Sequence, residues 1–235
     1  MKTSNPDIAV QLSVKLKICG MGAPENISEI ASLEPDYLGF IFYENSPRNF
    51  IYEIPEISER IIKTGVFVNA SESFIIDKIR KYNLGAIQLH GGEDAEFCQQ
   101  LKLKLEASGI NPSPEIIKVF SIKDEFDFRA LEEFEEIADY FLFDTKGENK
   151  GGNGYAFNWD ILKDYPSSTP FFLSGGIGNE SLKELKSLID VFKENGKAEL
   201  LYAVDVNSKF EISPAVKDIK MLEKFNAELR KKGKK

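Results

Sequence analysis

The sequence is poor in the residues that build disulfide frameworks and metal clusters, because its 235 residues include only two cysteines and one histidine. The two cysteines, Cys19 and Cys98, cannot form the dense disulfide framework of a small secreted domain, so we expect a reducing, cytoplasmic environment. The single histidine, His90, excludes a cluster of histidine metal ligands. No apolar run reaches about 18 residues, so no transmembrane helix or membrane partner is predicted.

The chain also lacks an excess of positive charge, since its formal net charge is −8. A negative surface argues against nucleic acid and anionic membranes as partners. A small anionic ligand stays compatible with this charge, because individual loops can differ in sign from the whole chain. The composition, with 42% hydrophobic and 29% charged residues, is typical of a globular protein with an ample core.

Apolar runs of strand length alternate with segments of helical period along the whole chain. Such alternation indicates βαβ units and a parallel sheet. The eight runs are residues 14–19, 37–42, 65–69, 86–90, 116–120, 140–144, 170–174 and 200–205. The predicted helices are residues 25–33, 71–82, 93–106, 124–138, 180–193 and 214–229.

Eight such units fit either an open doubly wound sheet or a closed (β/α)8 TIM barrel. The count of eight and a length near ~250 residues favour the barrel. No G-x-G-x-x-G follows the first strand, which weakens a dinucleotide-binding interpretation. We therefore predict an α/β protein with one TIM-barrel domain over residues 14–230, an N-terminal extension over residues 1–13 and a basic tail over residues 231–235. The first 13 residues have no signal-peptide pattern.

Cys19 and Asp144 each follow an apolar strand, the first and the sixth, at the point where it ends. The carboxyl ends of the strands meet at one face of a TIM barrel, so these side chains are expected to share a pocket. A thiolate can remove a carbon-bound proton, and a protonated carboxyl can deliver one to oxygen. The sequence thus predicts an acid/base pair, although a free cysteine is also common as a small buried apolar residue.

Two loops after strands seven and eight have the chemistry of a phosphate site. Gly175 and Gly176 follow strand seven, and Asn207 and Ser208 follow strand eight. Glycines let backbone N–H groups approach an anion, and these two loops commonly bind phosphate in TIM barrels. A tight turn alone would also explain the two glycines, but two neighbouring loops favour phosphate binding.

Other residues near the predicted pocket allow more than one role. Arg48, in a turn after strand two, could bind a carboxylate through two parallel hydrogen bonds or could be solvated. Lys17 could favour the thiolate of Cys19 or line the barrel core beside a carboxylate. His90 is expected to form a structural hydrogen bond. Cys98 and Trp159 are expected to be core residues.

These motifs, in this order, resemble the phosphoribosylanthranilate isomerase family over about residues 15 to 220. The motifs on which the resemblance rests are Lys-Ile-Cys-Gly-Met at 17–21, Gly-Phe-Ile-Phe at 39–42, Ser-Pro-Arg at 46–48, Gly-Val-Phe-Val-Asn at 65–69, Gln-Leu-His-Gly at 88–91, Phe-Asp-Thr at 143–145, Gly-Gly-Asn-Gly at 151–154, Leu-Ser-Gly-Gly-Ile at 173–177 and Asp-Val-Asn-Ser at 205–208.

The resemblance implies a TIM-barrel isomerase of tryptophan biosynthesis. It implies that N-(5-phosphoribosyl)anthranilate is converted to 1-(2-carboxyphenylamino)-1-deoxyribulose 5-phosphate by an Amadori rearrangement. By position, Asp144 would be the general acid, Cys19 the general base and Arg48 the ligand of the anthranilate carboxylate. The phosphate would be held by Gly175, Gly176, Asn207 and Ser208. No cofactor or metal is implied, because the substrate nitrogen is the electron sink.

Two residues depart from the pattern that the resemblance implies. Lys209 stands where a glycine is usual after Ser208, and Asn153 stands where a threonine is usual in the glycine-rich loop. Another phosphosugar-binding barrel enzyme and a non-catalytic phosphate-binding barrel share the fold and the phosphate loops. The pairing of Cys19 with Asp144 argues against both. A monomer and a homodimer are both compatible with the sequence.

Overall fold

The computed structural model describes residues 14–123, 125–145 and 158–231, and these form a closed barrel of eight parallel strands in sequential order. The predicted extension at residues 1–13 and residues 232–235 of the predicted tail lie outside the described part. The strands are β1 (Lys15–Ile18), β2 (Tyr37–Phe42), β3 (Ile62–Phe67), β4 (Ala86–Leu89), β5 (Glu115–Ile122), β6 (Tyr140–Thr145), β7 (Phe171–Leu173) and β8 (Leu201–Val206). The predicted fold class, a (β/α)8 TIM barrel, is confirmed.

The barrel closes where β1 pairs with β8. Lys17 lies opposite Asp205 in this parallel ladder, and the Cys19 amide donates to the Val206 carbonyl at 2.9 Å. Leu16 and Ile18 pack into the main apolar core, whereas Lys17 is buried on the opposite face of the strand. Because side chains alternate along a strand, Cys19 points to the same face as Lys17.

In the described ranges five α-helices cover the barrel, and most of them begin with a polar cap. They are α1 (Pro24–Ala31), α2 (Glu72–Tyr82), α3 (Ala95–Ala107), α4 (Leu182–Glu194) and α5 (Ile219–Arg230). The side chains of Ser71, Asp94 and Asp218 accept hydrogen bonds from backbone amides in the first turns of α2, α3 and α5. None of the helices in the described ranges is long and apolar enough to cross a membrane.

The helix predicted over residues 124–138 is wrong in type and length. The chain forms a 3-10 helix, Phe128–Phe134, followed by a turn, and residue 124 lies outside the described part. The apolar residues that suggested a helix, Phe128, Leu131, Phe134 and Ile137, recur every three residues. That spacing matches the three residues per turn of a 3-10 helix, so a short 3-10 segment keeps them on one side.

The helix predicted over residues 214–229 begins later than expected. A short antiparallel hairpin precedes it, formed by β9 (Glu211–Ser213) and β10 (Val216–Lys217). The Lys217 amide donates to Asn26 Oδ1 at 2.8 Å, and Asn26 Nδ2 donates to the Lys217 carbonyl at 3.0 Å. These two bonds fix the hairpin to α1, and Asp218 then caps the shorter helix.

Two residues predicted to serve the core do so. Cys98 is buried in α3, and Trp159 is buried at the start of a 3-10 helix, Trp159–Asp164. Most of the long glycine-rich connection that precedes Trp159, residues 146–157 including Asn153, lies outside the described residues.

Candidate active site

One cavity opens at the carboxyl ends of the barrel strands, where the predicted site residues meet. Six of the seven predicted residues line it, and they come from four strand ends or the loops after them: Cys19, Asp144, Gly175, Gly176, Asn207 and Ser208. Arg48 lies beside this cavity and does not line it. The barrel topology therefore brings together groups up to about 190 positions apart in the chain.

Asp144 is the last residue but one of β6 and is buried, with both carboxylate oxygens in polar contacts. The Thr145 amide donates to Oδ1 at 2.9 Å, and His90 Nε2 lies 3.4 Å from Oδ2. Gln88 Nε2 lies 3.1 Å from His90 Nδ1. With the amide in this orientation, Nδ1 accepts, so the ring proton sits on Nε2 and faces Asp144. The structural hydrogen bond predicted for His90 is present, and its approach to Asp144 is an additional contact.

Cys19 is buried just beyond the end of β1, above a buried ion pair. Lys17 Nζ donates to Asp205 Oδ2 at 2.8 Å, so Lys17 does line the core beside a carboxylate. Burial raises the pKa of the Cys19 thiol, and the negative charge of Asp205 acts in the same direction. The positive charges of Lys17 and Lys217 act in the opposite direction without reversing the shift. Lys17 therefore lines the barrel core beside a carboxylate, and its charge only partly offsets the rise in the pKa of the Cys19 thiol.

The space around the thiol depends on a glycine in the neighbouring strand. A Cβ atom placed on Gly39 would lie 2.7 Å from Cys19 Sγ and 3.0 Å from Cys19 Cα. A contact of 2.7 Å is essentially never seen for a Cβ atom, so a side chain at this position would displace Cys19. The Gly-Phe-Ile-Phe sequence of β2 thus begins with the residue that gives Cys19 its place.

Asp205 is a cavity residue that the sequence analysis did not single out. It lies in β8, lines the cavity, and its Oδ1 atom is buried with no hydrogen-bond partner among the described residues. Its position in the predicted strand 200–205 is the last one, as Asp144 is the last of strand 140–144. A carboxylate closing an apolar run was therefore the signal that could have identified it.

The two predicted phosphate loops lie side by side at the cavity. Gly175 and Gly176 have φ values of +88° and +69°, a region that favours glycine. A Cβ atom on Gly175 would lie 2.2 Å from Thr145 Oγ1 and 2.6 Å from the Thr145 amide nitrogen. Asn207 Oδ1 accepts from Lys217 Nζ at 2.6 Å, and no described residue accepts a hydrogen bond from its Nδ2. A side chain at Gly175 would thus clash with Thr145, and the Asn207 amide offers a donor.

Arg48 is held by a carboxylate of the protein itself. Its Nε and Nη2 atoms donate to the two oxygens of Glu211 at 2.8 and 2.7 Å. Lys217 Nζ also donates to Glu211, at 2.8 Å. Burial would raise the pKa of Glu211, but the hydrogen bonds and charges of these two cations hold it below its ordinary value. Two cations around one carboxylate leave a net positive charge beside the cavity.

The guanidinium of Arg48 has a second donor edge, formed by Nη1 and the other Nη2 hydrogen, and no described residue accepts from Nη1. Arg48→Lys is expected to lower kcat/KM for a carboxylate-bearing substrate by on the order of 1–3 kcal/mol, because the ammonium keeps the charge and loses the planar contact. Steady-state kinetics on the purified variant measures this loss.

Glu211→Gln is the matched control for Arg48→Lys. It weakens the internal ion pair and keeps the guanidinium, so it should lower thermal stability more than it lowers kcat/KM. Wild-type kcat/KM in both Arg48→Lys and Arg48→Ala would contradict the carboxylate-binding role.

Fold and site together define a class: a TIM-barrel protein with a thiol and a carboxyl group in one cavity beside two phosphate-type loops. The family model for N-(5'-phosphoribosyl)anthranilate isomerase matches residues 16–228. The chain therefore belongs to the N-(5'-phosphoribosyl)anthranilate isomerase family.

Curated relatives agree with this membership. The N-(5'-phosphoribosyl)anthranilate isomerase of Phocaeicola vulgatus is 41% identical over 217 residues, which cover 92% of this chain and 98% of the relative. The isomerase of Parabacteroides distasonis is 40% identical over 217 residues, with 89% and 90% covered.

Solved structures show the same fold. The phosphoribosyl anthranilate isomerase of Thermotoga maritima has a TM-score of 0.71 and 28% identity, with 92% of this chain and 98% of that chain covered. A phosphoribosyl anthranilate isomerase in complex with reduced 1-(o-carboxyphenylamino)-1-deoxyribulose 5-phosphate has a TM-score of 0.67 and 27% identity, with the same coverage.

Proposed function

We propose that the protein converts N-(5-phosphoribosyl)anthranilate to 1-(2-carboxyphenylamino)-1-deoxyribulose 5-phosphate, with Asp144 as general acid and Cys19 as general base. The observation that carries this proposal is that both groups line one cavity with the loops at Gly175 and Asn207. Family membership supports the reaction over that of another phosphosugar barrel enzyme. It also argues against a non-catalytic phosphate-binding barrel.

The first chemical step opens the ribose ring. Asp144 transfers its proton to the ring oxygen while the bond between C1 and that oxygen breaks, and the bond electrons stay on the oxygen. The nitrogen lone pair then forms a double bond to C1, which gives a cationic Schiff base. His90 Nε2, at 3.4 Å from Asp144 Oδ2, is placed to orient this carboxyl group and to help restore its proton.

The second step moves a proton away from C2. The thiolate of Cys19 takes that proton, the C–H electron pair forms a double bond between C1 and C2, and the pair of the C=N bond returns to nitrogen. The resulting enolamine tautomerises to the ketone, so no external redox partner or metal is needed. The cationic Schiff base lies near Cys19 at this stage, and a nearby positive charge favours the thiolate.

Phosphate and carboxylate bind at separate places in this proposal. Gly175, Gly176, Asn207 and Ser208 hold the phosphate through backbone amides, an amide side chain and a hydroxyl group. Arg48 takes the anthranilate carboxylate with its free guanidinium edge. We infer further that the protein acts in the cytoplasm on a small phosphosugar, as a monomer or a homodimer, without nucleic acid or membrane as partner.

The reactivity of Cys19 gives a direct test of its protonation state. Burial keeps the pKa of this thiol above its ordinary value of 9.0, so the thiolate fraction is small at pH 7 and rises as the pH is raised past 9. Alkylation by iodoacetamide, followed by mass spectrometry in a Cys98→Ala background, should accelerate over that range. Lys17→Met should slow alkylation at pH 8, because it removes a positive charge that favours the thiolate. Rapid alkylation already at pH 6 would contradict a raised pKa of the Cys19 thiol, and it would leave its role as the general base to be tested by substitution.

The reaction itself is tested by mixing the purified protein with freshly generated N-(5-phosphoribosyl)anthranilate. Loss of substrate fluorescence at a rate proportional to enzyme concentration is expected. Formation of the ketose product is checked by liquid chromatography with mass spectrometry, as a new peak of the same mass and a different retention time. A wild-type protein that leaves the substrate unchanged would refute the proposed function.

A further inference from the structure

The charges that line the cavity are poorly matched to a phosphosugar with a carboxylate. Two of the lining residues, Asp144 and Asp205, are acidic, and Lys209 is the single lysine or arginine among the described lining residues. The proposed substrate carries a phosphate of about −1.5 to −2 charge at pH 7 and a carboxylate. Backbone amides supply only partial charges, so a full cation that lines the cavity would strengthen the attraction for the phosphate.

Lys209 is built onto a firmly anchored turn of the second phosphate loop. It is the middle residue of a 3-10 helix, Ser208–Phe210, directly after the predicted ligands Asn207 and Ser208. Phe210 is fully buried, and its ring packs edge-on against Phe225 at 5.0 Å between centroids. The Phe210 amide also donates to the Asn207 carbonyl at 3.1 Å. The backbone of Lys209 therefore has a fixed position, and only the side chain is free to move.

The ammonium group of Lys209 links the two phosphate loops. Its Nζ atom lies 3.0 Å from Glu180 Oε1, and Glu180 follows the Gly175–Gly176 turn in a 3-10 helix, Asn179–Ser181. Glu180 is 62% exposed and the Lys209 side chain is 35% exposed. An ion pair with this much solvent contact is weak, so either partner is readily replaced by a stronger one.

We propose that Lys209 is a phosphate ligand that exchanges Glu180 for the substrate phosphate when the substrate binds. This inference rests on the proposed function and assigns Lys209 to binding rather than to the proton transfers. Glu180 is then a competing internal anion that holds the ammonium beside the two phosphate loops. Phosphate has more charge than a carboxylate and three acceptor oxygens, which favours the exchange. The glycine usual at this position in the resemblance has no side chain to serve in this way.

The proposal predicts opposite effects for the two partners. Lys209→Met should raise KM for the substrate on the order of 10-fold, because a charge-assisted contact is lost. Its kcat should stay within about twofold, since the contact is the same before and during the reaction. Glu180→Gln should lower KM, because the competing anion is gone. In a Lys209→Met background, Glu180→Gln should have no further effect on KM.

Ribose 5-phosphate is the probe that isolates the phosphate, because it has no anthranilate carboxylate. As a competitive inhibitor it should lose affinity in Lys209→Met by the same factor as KM rises, and Lys209→Arg should restore most of it. Lys186→Met is the matched control: it also breaks a lysine–glutamate pair, at 3.5 Å from Glu228, and Lys186 does not line the cavity. Its KM and inhibition constant should equal those of the wild type.

The outcomes separate this inference from the proposed function. Wild-type affinity for ribose 5-phosphate in Lys209→Met, in a protein that turns over substrate, would overturn the role of Lys209 alone. An additive effect of Glu180→Gln in the Lys209→Met background would overturn the exchange. If the wild-type protein neither turns over the substrate nor binds ribose 5-phosphate, the proposed function itself would be refuted.

Discussion

Cys19→Ala is expected to lower kcat by roughly 10²–10⁴-fold, the usual contribution of a positioned general base. No other thiol or histidine at the cavity can take its place, because Cys98 lies in α3 and His90 faces Asp144. KM should change little, since the proposed mechanism assigns the thiol to the C2 proton and other residues to the phosphate and the carboxylate. Steady-state kinetics by substrate fluorescence measures both parameters.

Two further variants complete this test. Cys98→Ala removes a buried thiol of the same size and should leave kcat unchanged, with thermal unfolding reporting any loss of packing. Cys19→Ser should stay nearly as slow as Cys19→Ala, because a serine hydroxyl is a far weaker acid than a thiol and is hardly ionised. A Cys19→Ala enzyme with near-normal kcat and an intact fold would refute the assignment of the base.

Asp144→Asn is expected to lower kcat by a similar factor, roughly 10²–10⁴-fold, because an amide cannot deliver a proton to the ring oxygen. The amide has nearly the shape of the carboxyl group and keeps one acceptor for the Thr145 amide, which lies 2.9 Å from Oδ1. The fold and the binding of ribose 5-phosphate should therefore persist. This separates lost chemistry from lost structure.

Asp190→Asn is the control for the charge change itself. Asp190 lies exposed on α4, far from the lining of the cavity, so its replacement should leave all kinetic constants as in the wild type. The acid assignment fails if Asp144→Asn turns over substrate at more than about a tenth of the wild-type rate, which is less than one acid group contributes.

The strands were predictable because their signal is local. Each of the eight apolar runs overlaps a strand of the barrel. Where a run ends in a thiol or a carboxyl group, as at Cys19 and Asp144, that group marks the active face. The helix predictions were wrong where the local sequence pattern was ambiguous. The spacing of Phe128, Leu131 and Phe134 predicts a helix, and the structure has a 3-10 helix there. The hairpin at Glu211–Ser213 depends on bonds to Asn26 in α1, which no local pattern records.

The partners of the site residues were beyond the sequence for the same reason. The sequence predicts that Arg48 binds a carboxylate ligand or is solvated, and its guanidinium is bound to Glu211, 163 positions away. Lys17 and Asp205 are 188 positions apart and meet only because β1 pairs with β8. Residue type predicted what each group could do, whereas the ion pairs that set its charge and direction depend on barrel closure.

Because the site requires a closed barrel, the recovery of activity reports on a late stage of folding. The thiol sits at the end of the first strand, and the carboxyl group and both phosphate loops belong to β6, β7 and β8. During refolding, the first five βα units can assemble and yield helical signal while the reaction is still impossible, since β1 has not yet found β8. The rate at which turnover returns would therefore measure the pairing of β1 with β8. The rate at which the secondary-structure signal returns would measure formation of the earlier units.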